Sequence, residues 1–105
     1  MEKKIYLAIS NLLEKKPVND LKVEVHKVPV VTGDFTYDIK ISYKLGLDDV
    51  YHLYFFTFLK CGYLFKCSKY YEYLEDGVCD LQEMTEYDIT FICDIMKIVR
   101  GVING

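Results

Sequence analysis

The chain has 105 residues, a formal net charge of −3, and 51% apolar, 15% aromatic and 28% charged residues. That length predicts one domain, residues 1–105, around one core, and the composition excludes a disordered chain. Charge is unevenly spread: residues 1–71 hold 11 lysines against 8 acids, whereas residues 72–105 hold two bases, Lys97 and Arg100, against 8 acids.

Glu2 to Lys16 spaces Ile5, Ala8, Ile9, Leu12 and Leu13 at helical intervals, with Lys15 and Lys16 suited to the negative end of the dipole and Pro17 as a stop. Lysines precede this apolar run, but Ser10, Asn11 and Glu14 break it and no small-residue cleavage site follows. It does not read as a secretion signal. Leu21, Val23 and Val25 then alternate with Lys22, Glu24 and His26, a half-buried strand ending near Pro29, and Thr32-Gly33-Asp34 marks a turn. Phe35, Tyr37, Ile39, Ile41, Tyr43 and Leu45 alternate without a break with Thr36, Asp38, Lys40, Ser42 and Lys44, which predicts an amphipathic strand. Gly46 to Asp49 forms the next turn.

Val50 to Lys60, VYHLYFFTFLK, has five aromatics and no Gly, Pro, Asn or Asp, so it reads as a strand. Val50, Tyr54, Phe56 and Phe58 share one side with His52, and Tyr51, Leu53, Phe55 and Leu59 share the other with Thr57. Two apolar faces predict a central position. The run is too short to span a bilayer as a helix. Lys60-Cys61-Gly62 turns toward a strand from Tyr63 to Tyr71, and strands joined by short turns predict an antiparallel meander.

After Asp76-Gly77 the period changes. Asp80 with Glu83, or Thr85 with Asp88, has the spacing of a helix N-cap pair. Ile89, Ile92, Met96, Val99 and Ile103 then form one apolar stripe, flanked by a second of Phe91, Ile95, Ile98 and Val102. A helix apolar around most of its circumference must be covered by the sheet or shared with a partner.

No Gly-rich phosphate loop, nucleophile elbow or paired-histidine helix is present, and the paired acids Asp48-Asp49 and Glu75-Asp76 fall in turns, where carboxylates satisfy backbone groups. The reading is non-enzymatic, with no cofactor. Cys61, Cys67, Cys79 and Cys93 lack the close pairing of zinc ligands, which predicts buried core thiols and no metal, with Cys61 the most reactive. Absent a secretion signal they are expected as thiols in a reducing cytoplasm. His26 and His52 read as structural. Lys60, Lys66 and Lys69 interleave with Tyr63, Phe65, Tyr70 and Tyr71, a pattern open to single-stranded nucleic acid or to a lysine-protected edge. One arginine and a net acidic chain argue for the second.

The unusual stretch is Tyr70, Tyr71, Glu72, Tyr73, Glu75, Asp76, Asp80, Glu83, Glu86 and Asp88, where seven acids come with no intervening base. It fits either a solvated helix entrance or a docking face for a protein with a basic surface. A chain of this length and acidity resembles the small phage or mobile-element inhibitors of bacterial defence systems, anti-CRISPR proteins among them. The resemblance implies an inhibitor acting in the host cytoplasm. LKVEV at Leu21 to Val25, YDIKI at Tyr37 to Ile41 and GYLF at Gly62 to Phe65 are also similar to the strands of SecB-like export chaperones, which implies binding of apolar segments.

The expectation is an α+β domain: N-terminal helix, four-stranded antiparallel β-meander and C-terminal helix, both helices on one face. The expected function is protein binding by an inhibitor or adaptor that masks a basic, nucleic-acid-binding surface on a target such as a bacterial defence nuclease. A chaperone-like binder and a nucleic-acid binder are the alternatives. A homodimer is expected as well, because a meander covered on one face leaves the second apolar set of Val50–Lys60 open.

Overall fold

Strict alternation and short turns give the strands, and the computed structural model, which describes residues 1–47 and 49–105, follows them in chain order. Its elements are α1 (Glu2–Leu13), β1 (Asn19–Pro29), β2 (Phe35–Lys44), β3 (Val50–Leu59), β4 (Leu64–Tyr73), β5 (Cys79–Gln82) and α2 (Glu86–Asn104). The sheet is antiparallel throughout, in the order β1-β2-β3-β4-β5. The fold is α+β as expected, with five strands rather than four. The extra strand forms because the 74–78 turn folds Cys79–Gln82 back onto Lys69–Glu72. The turn expected at Gly46 to Asp49 contains Asp48, which lies outside the described residues.

β3 is central. Its Tyr54, Phe56 and Phe58 join Tyr37, Ile39, Ile41 and Tyr43 of β2 in one buried layer. Ile5, Ile9 and Leu13 of α1, recurring every four residues, close that layer from above together with Phe91, Ile95 and Val99 of α2. Each such side chain contributes about 1.5–3 kcal/mol by leaving water, so both helices are held by the same aromatic row.

Details depart from expectation where local spacing is ambiguous. α1 ends at Leu13, so Lys15 and Lys16 lie beyond its last turn. α2 buries Asp88, Phe91, Ile95 and Val99, a face drawn from both expected stripes, and leaves Ile89 exposed. Its far end rests on the β3–β4 turn, where Gly62 has φ 96° and a Cβ would meet the Arg100 backbone at 3.4 Å. Only glycine suits that approach. No helix among the described residues is long and apolar enough to cross a membrane.

The other face of the sheet carries no helix. Thr36, Asp38, Lys40 and Ser42 of β2, Leu53, Phe55, Thr57 and Leu59 of β3, and Lys66, Ser68, Tyr70 and Glu72 of β4 line it, alternating with the core residues. Leu53 is buried there, but Phe55 and Leu59 remain 40% and 38% exposed. The second apolar set of the central strand is therefore half open to water.

Candidate functional site

The acidic stretch begins at the end of β4, turns, and returns along the sheet edge. Tyr73 N donates to Val78 O at 3.0 Å, Gly77 N donates to Tyr73 O at 2.8 Å, and Val78 N donates to the Asp76 carboxylate at 3.0 Å. Asp76 thus shapes the turn, with Gly77 at φ 70° supplying the left-handed residue. β5 then pairs with β4, Tyr71 opposite Asp80 and Glu72 opposite Cys79. The exposed Cys79 thiol donates to Glu72 Oε2 at 3.6 Å, and desolvation followed by that carboxylate pushes its pKa up.

The structure separates the three tyrosines. Tyr70 packs edge-on to Phe55 on the open face, with ring centroids 5.5 Å apart, while Tyr71 sits on the helix side 5.0 Å from His52 and Tyr73 is exposed. Of the acids, Glu75, Asp76, Asp80, Glu83 and Glu86 are exposed along one flank, and Glu72 is half-buried on the open face. Asp80 and Glu83 do not cap a helix, because Asp80 belongs to β5. Exposed apolar side chains stand among these acids: Leu74, Val78, Leu81, Tyr87 and Ile89, with Leu81 at 68%. The expectation did not include them. Only Leu81 had a local signal, the alternation Cys79-Asp80-Leu81-Gln82 after an Asp-Gly turn, and it is too short to stand by itself.

Asp88 must be corrected from a surface acid to a core residue, since it has no exposed surface. Thr85 is the N-cap of α2, and its hydroxyl accepts from Asp88 N at 3.3 Å. Asp88 Oδ2 accepts from Thr85 N and Oγ1, each at 2.8 Å. Asp88 Oδ1 accepts from Tyr54 OH at 2.6 Å and from Lys69 Nζ at 2.7 Å. Burial alone pushes this carboxyl up, but Lys69, Tyr54 and Thr85 together outweigh it and hold the pKa far below the usual carboxylate range. The same carboxylate adds to burial in pushing the Tyr54 hydroxyl upward and Cys67 to about 11.

Lys69 is therefore also removed from the Lys/Tyr surface read from the sequence. Lys60 pairs with Asp34 at 2.6 Å, so of the three lysines only Lys66 stands without an ion pair among the described residues. Cys61, Cys79 and Cys93 are exposed, contrary to the expectation of core thiols, while Cys67, half-buried opposite Phe56, packs against the core. The three exposed thiols fall on the β3–β4 turn, the edge strand β5 and the outer side of α2, where no apolar layer covers them. Among the described residues no three metal-binding side chains converge.

Comparison with protein-family models, curated proteins and solved structures gives no match for this chain.

Proposed function

We propose that the chain is a non-enzymatic protein-binding module, an inhibitor or adaptor whose acidic flank covers a basic surface of a target protein, such as the nucleic-acid-binding groove of a defence nuclease. One observation carries this reading: Leu74, Val78, Leu81, Tyr87 and Ile89 lie exposed between Glu75, Asp76, Asp80, Glu83 and Glu86. A solvated helix entrance needs the carboxylates but not the apolar side chains. An interface uses both, the apolar groups for area and the acids for register and exclusion of wrong partners.

The test is affinity capture from host lysate treated with nuclease, comparing the parent with a Glu75→Lys, Asp80→Lys, Glu83→Lys variant. These exposed positions contribute about 0.5 kcal/mol or less each to folding, so the variant should fold and should lose the partner. Equal capture by both proteins would remove the reading. The half-open Phe55 and Leu59 favour the chaperone-like alternative, which is distinguished by capture that survives high salt.

A further inference from the structure

We infer that the open sheet face is the seat of a second copy of this chain, joined about a two-fold axis that runs along β3. The register carries the argument. On this face Asp38 and Lys66 flank Thr57 at one level, Lys40 and Ser68 flank Phe55 at the next, and Ser42 and Tyr70 flank Leu53. One step further, Glu72 pairs with Tyr51, and Lys44 follows the Tyr43–His52 pair to reach the same level. A half-turn about β3 exchanges the β2 side of one copy with the β4 side of the other without changing level. Asp38 then meets Lys66 of the second copy, Lys44 meets Glu72, and each pairing occurs twice. Lys40 meets Ser68 and Ser42 meets Tyr70, so across β2 and β4 no level sets like charges together. A half-turn about an axis across the strands at the Phe55 level would set Lys40 against its own copy, and one midway between the Phe55 and Leu53 levels would set Asp38 against Lys44 and Lys66 against Glu72, so that Asp38 and Lys66 never face each other and a mixture of variants at these two positions would gain nothing.

Shape and apolar content agree with the charge pattern. A hollow on this face runs from Glu24 of β1 to Cys79 of β5, so the sheet is concave along one diagonal, as a twisted sheet must be. A half-turn about the central strand of such a saddle returns the same saddle, and two open faces therefore nest at the roughly 10 Å spacing of packed sheets. Phe55 and Leu59 lie along the axis. Phe65, 67% exposed, lines a second hollow with Leu59, Asp38 and Lys66. These apolar groups would be covered by their own copies. This inference is separable from the acidic-flank reading, because Glu75, Asp76, Asp80, Glu83 and Glu86 stay outside the seat and Leu81, opposite Tyr70, lies only at its β5 edge.

The test is a charge exchange at Asp38 and Lys66, read by sedimentation equilibrium at high micromolar concentration. The parent should be a dimer. Asp38→Lys alone and Lys66→Glu alone should each weaken self-association by about tenfold or more, since each places like charges opposite one another twice. Mixing the two single variants should restore a dimer, now mixed, because both cross-copy pairs are again of opposite sign. Folding is checked in each variant by circular dichroism. A monomeric parent, undiminished association of both single variants, or a mixture no more associated than its components would each overturn the inference.

Discussion

Asp88 accepts from Lys69, Tyr54 and Thr85 at once, so one carboxylate ties the start of α2 to both β3 and β4. Replacing Asp88 by Asn leaves the Lys69 ammonium buried without a counter-charge. Removing one partner of a buried pair costs about 3–5 kcal/mol, and urea unfolding of Asp88→Asn should show a loss of that order. A Lys69→Met, Asp88→Asn double variant should recover part of it, because no lone charge remains inside. The pH dependence has a definite sign. The folded carboxyl lies below its unfolded value of about 3.9, so its contribution is complete above that pH and is lost as the pH falls below it. The parent should lose stability on acidification more steeply than Asp88→Asn, and parallel curves would show that another carboxylate governs the acid limb.

At the scale of elements, α2 covers the Tyr43, Tyr54 and Phe56 row through Phe91, Ile95 and Val99. A chain lacking residues 86–105 should be insoluble or bind hydrophobic dye strongly, and a soluble, cooperatively folding truncation would contradict the packing. The long strands were legible because alternation over ten residues in β2, and aromatic density in β3, leave no competing period. β5 was not legible, since four residues carry too little pattern and the acids around them suggested a helix entrance. The cap itself was half legible: Thr85 and Asp88 have capping-box spacing, but a competing pair at Asp80 and Glu83 has it too. Nothing local shows that Lys69 reaches Asp88, because the pairing depends on α2 crossing over β4. The candidate flank was legible in its acids and only partly in its aromatics. Alternation within the expected strand already sends Tyr70 and Tyr71 to opposite faces, but placing Glu72 and Tyr73 requires the strand to run on through Tyr73.

Across the whole molecule, the acids Glu75, Asp76, Asp80, Glu83 and Glu86 gather beside β5 with no lysine among them, whereas the exposed acids of residues 1–71 are interspersed with lysines. Such separation gives the protein a directional field, which steers encounter more than it holds a complex together. For a basic partner the association rate should therefore fall sharply from low to high salt while the dissociation rate changes little. Stopped-flow or surface-binding kinetics would check this. A salt effect confined to dissociation would point to buried ion pairs instead.

The placement of both helices over one aromatic row also bears on how the chain is made. α1 and the strands leave the ribosome well before Phe91, Ile95 and Val99, and at about 5–20 residues per second the row waits a few seconds for the helix that covers it. During that interval the nascent meander presents aromatic side chains on both faces, and the yield of correctly folded molecules depends on what those faces meet before α2 emerges.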